Sequence, residues 1–273
     1  MLTHVIQSTD ALCQRILAIR TNTPVIDLAQ RHSQTLQASV LKEFRQSQTQ
    51  LLHLVNRQQQ RVEIARQKVK DTSTSSSTWQ ILLKNYSQEI QKAGEEELSI
   101  TQSIGKALTE HRTLFAQDAQ NIVNEQIRLT AEQKALEDRI SAARKKFRSI
   151  QKRVKAINGI SIVFPIAKLA SELTSLIATK KTTERQLADS ANESAHLHAQ
   201  AADTKACESI LKTLLPLVSQ TNSSIQGIIN TISLVNGKVK NEGNFTEEID
   251  EDTALLFLTA LETSLKQLKL ELE

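Results

Sequence analysis

Residues 156–167 read AINGISIVFPIA, twelve positions without a charge. Residues 169–179, LASELTSLIAT, carry one charge, Glu172, and Lys168 separates the two runs. Asn158-Gly159 and Pro165 are helix breakers, so the segment does not read as one uninterrupted helix. Twelve helical residues rise about 18 Å, short of a hydrocarbon core of about 30 Å. The full stretch, opened out or joined to a flanking helix, is long enough to reach across. Its apolar centre is Ile157 to Leu169.

The flanks are basic. Arg144, Lys145, Lys146, Arg148, Lys152, Arg153 and Lys155 put seven cations in twelve residues, and Lys180, Lys181 and Arg185 follow the segment. Cations suit the C-terminus of a helix through the backbone dipole. A collar of cations beside an apolar wedge also suits anionic headgroups, at about 1 kcal/mol for each cation near the surface. The expected membrane contacts are therefore Ile157, Ile160, Ile162, Val163, Phe164, Pro165, Ile166 and Leu169. The expected headgroup contacts are Lys145, Lys146, Arg148, Lys152, Arg153 and Lys155. A permanently exposed apolar patch invites aggregation. A tip that packs back in water and opens at a membrane avoids this; the competing reading is a turn that stays in the core.

Working outward, the rest of the chain reads as helix. A short amphipathic helix over 2–20 is broken at Thr21-Asn22-Thr23-Pro24. Thr23 caps the next helix and Pro24 takes its first position. That helix is expected over 24–71. Its seam of Leu41, Phe44, Gln48, Leu51, Val55, Gln58, Val62, Ala65 and Val69 alternates threes and fours, a heptad with two glutamines. Those glutamines mark either a loosened, partly exposed seam or one kept weak for partner exchange.

The polar run 71–78 is a turn. A third helix is expected over 79–156, with Gly94 and Gly105 weakening it without stopping it. Its later seam is Ile122, Leu129, Leu136, Ile140, Ala143, Phe147, Ile150, Val154 and Ile157. A helix of that length runs to roughly 115 Å and needs partners as long.

A fourth helix is expected over 168–240. Leu187, Ala191, Ala195, Ala202, Ala206 and Ile210 are its small-residue seam, a richer apolar half follows, and Pro216 should kink it. After a turn at 241–244, a last helix is expected over 246–273, with acidic residues in its first turn. Leu255, Leu256, Leu258, Leu261, Leu265, Leu268 and Leu272 form its apolar face. The architecture expected is all-α: a single elongated domain, 1–273, of antiparallel long helices. The apolar tip at about 156–179 lies between two of them.

Composition agrees with helices held by narrow seams. The 273 residues include six Gly, three Pro and 3% aromatics. A net charge of +4 without interleaved aromatics does not read as a nucleic-acid surface. Cys13 and Cys207 read as packed free thiols. His196 and His198, two apart on a helix, point to different sides and do not suggest a metal site. No phosphate loop, CxxC pair or catalytic constellation is legible, so no enzyme and no cofactor is expected. The N-terminus lacks the pattern of a signal peptide, and no run is apolar enough for a resident transmembrane helix. A chain made in soluble form is expected; if exported, it takes another route.

The stretch KKFRSIQKRVKAINGISIVFPIAKLASELTSLIA (145–178), set between very long helices, resembles the α-helical pore-forming toxins. These include cytolysin A, the hemolysin BL and Nhe components and the α-xenorhabdolysins, whose B subunit is similar in layout. The resemblance is architectural and covers most of the chain. It implies a secreted subunit that meets target-cell membrane lipids and forms a homo- or hetero-oligomeric pore with a second toxin component. The alternative from the heptads alone is a cytoplasmic coiled-coil scaffold or adaptor.

Overall fold

The computed structural model describes residues 2–20, 23–71, 75–160, 166–243 and 250–273; the side chains of 157–160, 166–171, 173 and 242 are not part of the description. The described residues form α1 (Leu2–Leu17), α2 (Pro24–Thr35), α3 (Lys42–Lys70), α4 (Ser76–Ile160), α5 (Ile166–Glu242) and α6 (Glu251–Leu272). A π-helical stretch, Leu36–Leu41, joins α2 to α3, so Pro24 to Lys70 is helical throughout. No strand occurs among the described residues. The all-α bundle of very long helices is thus as the sequence predicts, with α4 and α5 running 85 and 77 residues.

Several boundaries follow from local chemistry. The backbone N–H groups of Ile26 and Asp27 donate to the Thr23 carbonyl, so the second helix opens at Pro24 as expected. The last helix begins at Glu251, later than the expected start near Thr246. Asp250 has extended backbone, and its carboxylate accepts from the Thr253 N–H at 2.7 Å, which caps the helix there. α4 continues through Asn158-Gly159 to Ile160, beyond the expected end at 156. α5 runs through Pro216 as a single helix. The π-helical stretch has no sequence signal, because neither Gly nor Pro marks it.

Two compact units share α4 and α5. One comprises Met1–Ala18, Leu28–Asp118 and Ile210–Glu273; the other comprises Ile19–Asp27 and Ala119–Ser209. In the first, α1, the α2–α3 helix, early α4, late α5 and α6 enclose a core that includes Leu36, Leu41, Phe44, Leu83, Leu108, Phe115, Leu211 and Leu258. The heptad seam of α3 faces this core. Every predicted position is buried except Gln48, which is half-buried and donates to the Leu272 carbonyl of α6. Thr109 of α4 accepts from Asn222 of α5, and Gly94 faces Asn236, so α4 and α5 run antiparallel here.

In the second unit α4 and α5 pair with each other, again antiparallel. Gln126 donates to Glu208 at 2.8 Å, Gln133 to the Leu197 carbonyl, and Arg139 to Glu193 at 3.0 Å. Leu129, Leu136 and Leu197 form its core, flanked by Ile140 and Ala201. The predicted alanine seam of α5 is a correction: Ala191, Ala195, Ala202 and Ala206 are exposed. The buried stripe runs instead through Thr183, Leu197, Thr204 and Cys207. Thr183 and Thr204 donate back to the Thr179 and Gln200 carbonyls, which lets their hydroxyls be buried at little cost. Alanine is the best helix former and inexpensive to expose. Leu256 likewise leaves the predicted face of α6; it is 71% exposed.

Candidate functional site

The expected headgroup residues lie on the last turns of α4. Lys145, Lys146, Arg148, Lys152, Arg153 and Lys155, together with Arg144, are all exposed. Between them Phe147 and Val154 are half-buried, and Ile150 is buried. At 3.6 residues per turn Lys146 and Arg153 fall on one flank of this apolar stripe, Arg144, Arg148 and Lys155 on the other, and Lys145 and Lys152 opposite it. The reason for their exposure is therefore periodicity: the stripe takes the face toward α5 and leaves the flanks and the far side to water. Among the described residues none of the seven has an ion-pair partner. From α5, Lys180 places its ammonium 5.9 Å from the centre of the Phe147 ring, a cation–π contact that covers the stripe. Lys180 also pairs with Glu184, one turn on. Residues 144–185 hold eleven Lys or Arg against two Glu, a surplus of nine positive charges in a chain whose net charge is +4.

The expected membrane contacts are placed in part. Ile157 and Ile160 belong to the last turn of α4, and Ile166 and Leu169 to the first turn of α5, with their side chains outside the description. Ile162, Val163, Phe164 and Pro165 lie outside the described residues. Beyond them, Glu172 and Ile177 on α5 are exposed, Ile177 by 52%. No described helix is long and apolar enough to cross a membrane.

The five-helix unit holds polar contacts that sequence reading missed. His32 Nδ1 of α2 lies 2.7 Å from the Asp118 carboxylate of α4, whose side chain is 2% exposed. Burial pushes the Asp118 carboxyl above its ordinary range, and the hydrogen bond from His32 opposes that. The sequence offered only scattered histidines; the one clue was the i, i+3 spacing of Asp118 from Phe115 on a buried face. Three glutamines tie down the chain's first helix and last residues. Gln30 donates to the Ile16 carbonyl, Gln37 to the carbonyl and carboxylate of Asp10, and Gln48 to the Leu272 carbonyl. Gln37 sits in the π-helical stretch, whose wider turn shifts the side chains that follow relative to a continuous α-helix. The glutamine at position 48 is thus partly exposed, as one sequence reading expects, and bonds α3 to α6.

No protein-family model matches the chain, and no curated relative matches its sequence. Solved structures do. The soluble AhlC triple head mutant of the tripartite α-pore-forming toxin AHL of Aeromonas hydrophila superposes with a TM-score of 0.73. It is 17% identical, and the alignment covers 100% of this chain and 97% of that one. The AhlB pore of the same toxin gives 0.72, with 9% identity and coverage of 98% and 97%. XaxA from Xenorhabdus nematophila gives 0.65, with 8% identity and coverage of 98% and 94%.

The chain has the fold of the α-pore-forming toxins.

That fold likeness extends over essentially the whole chain and reaches components of a tripartite toxin and the XaxAB pore complex alike. Within the α-pore-forming toxin fold, the apolar stretch quoted at the outset is the connection between the two longest helices, α4 and α5, and the cations stand on the turns that lead into it.

Proposed function

We propose that the chain is a subunit of an α-helical pore-forming toxin. It acts outside the producing cell, engages a target membrane through Ile157–Leu169, and oligomerises with a second component. The observation that carries this reading is the set of seven exposed cations on α4, without ion-pair partners among the described residues, around an apolar stripe that runs into an uncharged connection. Exposed ammonium and guanidinium groups keep their hydration until an anionic surface replaces it, and the uncharged segment follows into the interface. The fold supports the same reading, since both soluble and pore forms of such toxins carry it. The second component is proposed by analogy with the multi-component systems named in those structures.

Vesicle flotation and dye release test it. The wild-type chain is expected to float with vesicles containing anionic lipid. Lys145→Glu, Arg148→Glu, Lys152→Glu and Lys155→Glu combined remove about four surface attractions and weaken binding by 100-fold or more, by the scale of about 1 kcal/mol per cation. Val163→Asp with Phe164→Asp should abolish dye release while the melting temperature holds. Equal flotation and release by wild type and both variants would sink the assignment to the tip and collar, and a wild-type chain that neither floats nor releases dye would favour a scaffold.

A further inference from the structure

We propose that Gln58 and Asn236 bind a single water molecule inside the five-helix unit, where α3, α4, α5 and α6 meet. Gln58 is 0% exposed, and among the described residues neither its Oε1 nor its Nε2 has a hydrogen-bond partner. Both amide atoms of Asn236 are equally buried and unpartnered. The two amides therefore do not bond each other, yet both residues line one cavity with Val55, Ile90, Gly94 and Leu265. Four buried amide atoms without partners in one place are rare in native cores, where such groups are almost always satisfied by protein or water.

The cavity selects its occupant. It offers about 20 Å³ to a water-sized body. A water needs at least roughly 10–15 Å³ on that measure together with two to four polar partners, so one fits and a larger solute does not. Each amide supplies an acceptor oxygen and an N–H donor, and water supplies two donors and two acceptors, so one molecule can bond to both. The residues that line the cavity carry no charge to compensate a cation, and an apolar guest would leave all four atoms unsatisfied.

Gly94 makes the site possible. A Cβ at that position would stand 2.1 Å from Asn236 Oδ1, so only glycine lets the α5 amide lie against the α4 backbone. Gln58 is fixed separately: Tyr86 donates its hydroxyl to the Gln58 carbonyl, which holds this turn of α3 to α4. The hydrated pair thereby sets the register of α3 against α5 at a level otherwise filled by Leu51, Ile232 and Leu268. A polar group in an apolar layer has this use when it is satisfied in one register only.

A crystal structure of the wild-type chain at 1.8 Å or better is expected to show one density peak within hydrogen-bond distance of both amides. A direct Gln58–Asn236 hydrogen bond with no such peak overturns the proposal. Gln58→Met and Asn236→Leu should each lower Tm by roughly 2–8 °C, because each leaves the other amide a partner short. The double variant should lose clearly less than the sum, the signature of coupled residues. Additive losses overturn it too. Should either variant fail to fold, magnetisation transfer from a long-lived water to the Gln58 and Asn236 side-chain amides decides the matter on the wild type: transfer supports the site, and its absence refutes it.

Discussion

The five-helix unit and the paired-helix unit are built from the same two helices. In the first, α4 and α5 are enclosed by three other elements, and wholly buried Phe115, Leu108, Leu83 and Leu211 fill the space between them. In the second the two helices have chiefly each other, and the core shrinks to Leu129, Leu136, Leu197 and their flanks. One helix therefore crosses two environments. Its sequence adapts by widening or narrowing the apolar stripe, not by changing helix propensity. The lesson is that burial in a long-helix protein is set by how many neighbours a turn has, and that a two-helix stretch leaves room on its outer faces for charge.

The sharpest way to break this contrast is by truncation in each core. Leu83→Ala should cost about 4 kcal/mol in chemical denaturation, because five elements hold the cavity open. Leu136→Ala should cost about 2 kcal/mol, since a two-helix seam can close over the gap. Equal losses would mean that the two units pack equally tightly.

The pH responses should also diverge. Burial raises the carboxyl of Glu97 above its ordinary range, against a weaker lowering by the hydroxyl of Ser47, 3.3 Å away. A raised carboxyl favours folding in acid and loses that contribution as pH climbs through its folded value. Glu97→Gln should thus melt higher than wild type at pH 7 and match it near pH 3. Glu125 in the other unit is held below its usual range by its hydrogen bond to Arg128. Its contribution is present at neutral pH and fades as pH falls through the lowered value. Glu125→Gln should melt slightly lower at pH 7 and converge with wild type in acid. Opposite signs in the two melts support the contrast; the same sign breaks it.

The smallest effect concerns the thiols, one in each unit. Cys13 is buried, and burial pushes its thiol up to about 12. Cys207 is wholly buried as well. Neither should react with a thiol reagent at pH 8 until denaturant is added. Early labelling of Cys207 alone would show that the paired-helix unit opens first.

Most of the helix plan was legible because hydrophobic periodicity is a local signal. The seam from Leu41 to Val69 and the later seam of α4 could be counted off directly, and Thr23-Pro24 announced a helix start. What stayed hidden depends on partners distant in sequence. The stripe on α5 departs from the expected one because a hydrophobic count scores alanine as apolar and threonine as polar, while burial of threonine depends on its bond to the preceding turn. Asp118 carried no sign that His32 would meet it from α2. The six cations from Lys145 to Lys155 were legible as a cluster, and their exposure around Phe147, Ile150 and Val154 follows from spacing. Gln58 read as a flaw in a heptad, and only the fold reveals that a second amide faces the same space.

The glutamine ties to the N-terminal helix have a further consequence. Gln30 and Gln37 hold α1 by neutral amide donors, Gln37 in part on the Asp10 carboxylate, and among the described residues the one ion pair there, Arg45 with Asp10, sits at the surface. Amides do not titrate, and surface pairs are screened by salt with little loss. The clasp on α1 is accordingly little affected by ionic strength. The apolar face of α1, Val5, Ile6, Leu12 and Ile16, is what an environment of low polarity would compete for.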